Sequence, residues 1–252
     1  MEVQAGYKTE LNLDNKQRTV CKQHAGVARY TYNYGLQRKQ EEARKRQHDP
    51  SHPVPSAVDL HKEIVLLKHQ DETKWLAEVS KCTPQQALRD LDIAYQRFFK
   101  RQAKYPKRKK KGKAADSFYL EGTIHAGPDW IQLPVLGKVA LYESNYIPMD
   151  TGEGATVLRE LATYPKNPDG TNKNAMQRKK IRETWPVGTK EYVSATVSRQ
   201  ADSWFVSVLV REQVASLSQR GEMRWELIWA LRLSRRFPMV KSSRTARHCE
   251  VA

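Results

Sequence analysis

The hydrophobic period of this chain changes once, near Ser117, and that switch limits the folds open to it. Upstream, apolar residues recur every three to four positions. Leu88, Leu91, Tyr95 and Phe98 mark the clearest case, over Gln85–Arg101. Downstream, Val193, Ala195 and Val197 alternate with Ser194, Thr196 and Ser198. Trp204, Val206 and Val208 alternate on the next stretch, with a hairpin turn at Gln200–Ser203. A helical block followed by a block of strands predicts an α+β fold.

The helical block begins at Lys16–Arg46, where Val20, His24, Val27, Thr31 and Tyr34 share a face and Asp14 or Asn15 is placed to cap. Gly26 is positioned to allow another helix to approach closely. Residues 48–56 form a loop, Ala57–His69 a second helix on Leu60, Ile64 and Leu67, and Asp71–Leu76 a connector burying Trp75. Thr83 is read as the N-cap of the third helix, with Pro84 at its first position. Short strands follow at Phe118–Leu120, Trp130–Leu133 and Lys138–Glu143, then a polar, basic excursion over 151–190. Val3–Leu13 reads as an extended segment anchored by Tyr7 and Leu11. If it joins the later strands, the helical block is an insertion between strand one and the rest of a small barrel.

Charge narrows the function. There are 44 Lys plus Arg against 28 Asp plus Glu, a formal +16. Arg97–Lys113 holds ten Lys or Arg and no acid. Such a density favours a polyanionic partner, nucleic acid first. No stretch approaches the roughly 20 apolar residues of a membrane span, and no apolar signal-peptide core is present. Cys21, Cys82 and Cys249 fit neither a disulfide framework nor a metal knuckle. The expectation is a cytoplasmic protein without cofactor, metal or membrane partner.

Within the tract, Arg97, Lys100, Arg101, Lys104, Lys107, Arg108, Lys109, Lys110, Lys111 and Lys113 are candidates for phosphate contact, which positions a nucleic acid without reading it. The alternative is a solvated linker. Gln85, Gln86 and Arg89 open the neighbouring helix; they are suited to base edges, or equally to the helix surface. Tyr30 and Tyr34 share one helix side, leaving Arg29 and Tyr32 as candidate contacts. Lys173, Arg178, Lys179, Lys180 and Arg182 form a second basic cluster. Trp130 and Phe205 are candidate stacking platforms, whereas Trp204 reads as core. The seven histidines show no metal spacing, and no triad or elbow context is present.

Several pieces together resemble a family. They are Ala28-Arg29-Tyr30-Thr31-Tyr32-Asn33-Tyr34, Trp75-Leu76, Gln85-Gln86-Ala87-Leu88-Arg89-Asp90-Leu91-Asp92, Tyr105-Pro106 with its lysines, Ile131-Gln132-Leu133-Pro134, and Val197-Ser198-Arg199 to Trp204-Phe205-Val206-Ser207. In order and spacing they are similar to the N-terminal half of the TnpB proteins, the OrfB-type proteins of IS200/IS605 insertion sequences and relatives of type V CRISPR nucleases. The resemblance implies a helical, helix-turn-helix-like recognition domain (14–114) inserted in an antiparallel, oligonucleotide-binding-like wedge β-barrel (1–13 and 115–210). It implies a structured guide RNA and double-stranded DNA as partners, and a following RuvC-like nuclease.

At that last point the sequence departs from the pattern. The final aspartate is Asp202, and Arg211–Ala252 offers only Glu212, Glu222, Glu226 and Glu250 as carboxylates. Two-metal cleavage needs several convergent carboxylates. The expectation is therefore a truncated, nuclease-lacking binding protein with no catalytic residues. The alternatives are a nuclease-dead RNA-guided repressor, a fragment of a full RNA-guided endonuclease, and a basic structural RNA-binding protein. Codons permitted for Met223–Val240, shifted by two bases, can read Ala-Leu-Gly-Thr-Asp-Leu-Gly, so the tail 211–252 is either a frameshifted remnant or a short terminal helix; the nucleotide sequence decides.

Overall fold

The computed structural model describes residues 2–149, 185 and 187–214. Most of the excursion and residues 215–252 lie outside them, including the second basic cluster at Lys173–Arg182 and the proposed frameshifted segment.

Strand β1 (Glu2–Asn12) leads into helix α1 (Asn15–His48). Asp14 caps α1: its carboxylate accepts the Gln17 N–H at 2.7 Å, and the Gln17 amide oxygen accepts the Asp14 N–H at 3.1 Å. Helix α2 (Ala57–Leu67) starts with an equivalent reciprocal pair, Ser56 and Asp59. A 3₁₀ segment, Asp71–Ala77, connects to α3 (Cys82–Phe99). Strands β2 (Ser117–Leu120), β3 (His125–Ala126), β4 (Trp130–Leu133), β5 (Gly137–Leu141), β6 (Lys190–Gln200) and β7 (Ser203–Gln213) complete the described elements. The β3 pair, two residues long, has no counterpart in the sequence reading.

The strands form one antiparallel sheet in the order β2-β6-β7-β1-β5-β4-β3. β1 is central, running beside β7 from Glu2 opposite Gln213 to Leu11 opposite Trp204, and meeting β5 at Leu11 and Asn12. The three helices thus fall, in chain order, between β1 and β2. The α+β class stands, but the sheet is open rather than a closed barrel, because β2 and β3 do not pair. The β2 edge is met by α3 instead: the Thr83 hydroxyl donates to the Tyr119 carbonyl at 3.3 Å, and the Cys82 thiol lies 3.8 Å from the Glu121 carbonyl. A helix covering an edge strand removes the template for further pairing. Thr83 is thereby drawn away from capping, and α3 starts at Cys82 without a side-chain cap.

One apolar cluster joins both kinds of element. Leu11, Phe118, Leu120, Ile131, Val139, Val197, Trp204, Val206 and Val208 from the sheet meet Cys21, Ala25, Ala28, Tyr32 and Leu36 of α1 and Leu91 of α3. Two smaller clusters lie on other sides of α1. Val27 packs with Leu76 and Val79, while Leu60, Ile64 and Leu88 pack beside Tyr34. Helix α1 is therefore buried on more than the one face its spacing indicated. Three further readings change. A Cβ on Gly26 would meet nothing within 4 Å, whereas one on Gly35 would lie 2.8 Å from Leu88 and 3.0 Å from Leu91, so Gly35 is the close-packing glycine. Leu76 is fully buried and Trp75 stays 39% exposed, edge-on to Tyr30 at 5.0 Å. The β6 register shifts between Tyr192 and Ser194, so Ser194 is buried and Val193 falls out of the alternation.

Candidate nucleic-acid interface

The basic tract is anchored to the helices. Helix α3 ends with Arg101 at φ 57°; the Gln102 N–H reaches the Arg97 carbonyl at 2.8 Å and the Arg101 N–H reaches Phe98 at 2.9 Å. This is a Schellman termination with arginine where glycine is favoured. Tyr105 then folds back: its ring stands edge-on to Phe98 at 5.2 Å and to Tyr95 at 5.7 Å, and its hydroxyl lies 3.0 Å from that of Tyr95. Pro106 is buried. Three residues on, the Asn33 side chain bonds both backbone groups of Lys109, donating to its carbonyl at 2.9 Å and accepting its N–H at 2.8 Å. The chain next turns tightly over Lys110–Ala114, with Gly112 at φ 76°. Past the turn, Asp116 pairs with Arg29.

Between these anchors the cations divide into two kinds. Arg97, Lys100, Arg101, Lys104, Lys107, Arg108, Lys110, Lys111 and Lys113 are exposed and form no ion pair among the described residues. Lys109 is different. Its ammonium lies 4.2 Å from the centre of the Tyr32 ring, and burial pulls its pKa down, with Asp90 opposing. Tyr32, a sequence candidate for contact, is only 6% exposed and belongs to the core beneath Lys109. Arg29, another candidate, faces Asp116.

At the start of α3 the candidates are engaged with neighbours. The Gln85 amide donates to His61 Nε2 at 3.1 Å, and the Gln86 amide donates to Asp90 at 2.9 Å. Burial, with Lys68 and Arg89 nearby, lowers the His61 pKa and favours neutral imidazole. Arg89 is exposed. Gln86, Asp90 and Lys109 line a cleft of about 190 Å³ with Ser117, Tyr119 and Thr196 of the sheet. It offers amide, carboxylate, ammonium and hydroxyl groups within one concavity. His24 is a core histidine: Nδ1–H donates to the Val20 carbonyl at 2.8 Å and Nε2 accepts the Ser80 N–H at 3.1 Å. Trp204 is core, as expected, while Trp130 and Phe205 are partly exposed on the sheet's other side. Among the described residues no group of His, Cys, Asp or Glu is placed to hold a metal ion, and no helix is long and apolar enough to cross a membrane.

The anchoring residues Asn33, Tyr105 and Asp116 were not among the sequence candidates. Asn33 carried a signal: asparagine is a poor choice inside a long helix unless its amide has a partner.

Two comparisons bear on identity. Residues 1–48 match the helix-turn-helix domain of the OrfB IS605 type; here they hold β1 and the single helix α1. Over 142 residues, 56% of this chain, the sequence is 29% identical to the putative RNA-guided DNA endonuclease InsQ of Escherichia coli (strain K12). The match spans about a third of that relative's length, 34%. Taken together, these matches make the chain similar, over its N-terminal part, to the OrfB-type proteins of IS605 transposons.

Proposed function

We propose that this chain binds nucleic acid, a structured RNA, a DNA duplex or both, along the basic tract and the adjoining start of α3. The observation that carries the reading is the anchoring of the tract. Tyr105, Pro106, Asn33 and Asp116 anchor it, while nine of its cations are exposed and have no ion pair among the described residues. A segment fixed before binding loses less freedom on binding. The name of the related protein, an RNA-guided DNA endonuclease, supports both partners. The helical segment would serve as a recognition unit inserted between β1 and the rest of the open sheet, a reading supported by β1 lying between β7 and β5. Gln86, at the cleft beside Lys109, is the side chain best placed to reach a base edge.

Sequencing of RNA that co-purifies with the chain tests this directly. One discrete species supports a guide; a heterogeneous mixture removed by moderate salt supports a general basic RNA binder instead. Reversing charge across Lys107–Lys111, with Lys109 kept, should abolish retention on RNA and leave helix content unchanged by circular dichroism. Each lost phosphate contact should lower the log–log salt slope by about 0.7–0.9; an unchanged slope would make the tract a bystander.

A further inference from the structure

The outer face of the sheet, opposite the apolar cluster, carries a second surface that the basic tract does not account for. Alternation places Phe205 on the side away from Trp204 and Val206, and Trp130 away from Ile131. The registers put these rings in an ordered array. Phe205 lies opposite Glu10 on one side and Ser198 on the other, and Ser198 lies opposite Ser117. Across β1, the Tyr142 N–H reaches the Glu10 carbonyl at 3.3 Å, which sets Tyr142 at the far end of that row; it is 61% exposed. In the adjacent row Trp130 lies opposite Ala140.

Two details distinguish this face from an ordinary solvated one. First, a lysine is laid over a ring twice: Lys8 Nζ is 5.1 Å from the Phe205 centroid, and Lys138 Nζ is 4.4 Å from that of Trp130. Second, the positions beside Phe205 toward β6 (Ser198, Ser207, Thr196) and the one opposite Trp130 (Ala140) are small or polar, so these two rings stand above a low floor. Trp130 is also fixed in place: a Cβ on Gly127 would lie 2.3 Å from its indole, so only glycine admits the ring there. At the β2 end, Ser117, Tyr119 and Thr196 border the cleft that contains Lys109 of the basic tract.

We infer that this face is a stacking platform for single-stranded nucleic acid, with bases on Trp130, Tyr142 and Phe205 and with Lys8 and Lys138 moving from the rings to the phosphates. Exposed aromatic faces stack any base, and ammonium groups beside them match the charge of the backbone. Glu10, half-buried in the Phe205 row, is the one carboxylate among the positions named. The inference extends the nucleic-acid reading above and fails separately from it, because it concerns single strands on the rings of the sheet rather than the basic tract.

The test uses the whole chain, with labelled oligo(U), oligo(dT) and a mixed-sequence duplex as probes in fluorescence anisotropy. The triple variant Trp130→Leu, Tyr142→Leu, Phe205→Leu keeps apolar volume and removes the stacking faces. Single-strand affinity should fall about tenfold for each ring that stacks, with duplex affinity and the salt slope unchanged. Charge reversal in the tract should instead weaken both probes and flatten the slope. Parent-like single-strand binding by a folded triple variant overturns the platform, and so does an equal loss for duplex. A parent that sizes as a dimer and a variant that sizes as a monomer would make the face a self-interface and also overturn it. Should the variant not fold, photocrosslinking of 4-thiouridine oligonucleotide to the unaltered chain decides: crosslinks on the peptides bearing Trp130, Tyr142 or Phe205 support the platform, and crosslinks confined to the tract refute it.

Discussion

In the helical segment, carboxylates sit against cations; in the sheet, the interior is apolar with few charges near it. Glu42 lies within 3.0 Å of both Arg38 and Lys45 and 2.5 Å from His52, Glu63 meets Arg38 and the Tyr34 hydroxyl, and Asp92 holds Lys39 at 2.7 Å while accepting the Ala57 N–H. Between β1 and β7 the buried residues include Leu11, Trp204, Val206, Val208 and Val210, with Thr9 the one polar side chain of β1 among them. Among the described residues, carboxylates neutralise cations where the helices pack, and the tract is left with nine exposed cations that have no ion pair, where a polyanion can reach them.

If the sheet and helices truly share one apolar core, the largest effect should come from Leu91→Ala, which removes a fully buried side chain from that common cluster. A loss of about 2–5 kcal/mol is expected in denaturant unfolding, in a single transition for both halves; two separate transitions would show that the halves are independent. Gly35→Val should cost about 1–3 kcal/mol by the same measurement, since its Cβ would press on Leu88 and Leu91. Gly26→Ala, with open space at the Cβ, should instead stabilise by about 0.5–1 kcal/mol.

Acid should act on the helical half first. Contacts with His52 and Lys45 hold the Glu42 carboxyl down at about 2, below its ordinary 4.5. As pH falls through that window only the unfolded chain takes up the proton, so stability is lost. Burial also lowers the His24 pKa from its ordinary 6.5. The unfolded chain again protonates first, and stability declines as pH drops below that value. Thermal melts of Glu42→Gln should show a shallower loss between pH 4.5 and 2 than the parent. The smallest effect is expected at the helix end: Arg101→Gly should relieve the left-handed conformation for a net gain under about 1 kcal/mol, while lowering RNA affinity at low salt.

Much of this arrangement could be read from spacing alone. Capping by Asp14, the stripe of α3, the β6–β7 hairpin and the burial of Trp204 follow from local chemistry and period. What spacing does not reveal is which of several faces meets which neighbour. Tyr32 looked available because Tyr30 and Tyr34 occupied another side of α1, yet that side packs on the sheet. Trp75 and Leu76 are adjacent, and only the position of α1 decides which is enclosed. The bulge at Val193 changes the alternation without any glycine or proline to announce it. Asn33 and Lys109 lie 76 residues apart, and no local pattern connects them.

The central place of β1 has a bearing on biosynthesis. Glu2 pairs with Gln213, so this strand leaves the ribosome roughly 10–40 s before its main neighbour at ordinary elongation rates. During that interval α1, α2 and α3 can assemble on Leu60, Ile64 and Leu88, but the apolar face of β1 has no β7 to cover it. The N-terminal segment is therefore made early and placed late. A chain released before residue 204 would carry an unsatisfied strand into the cell.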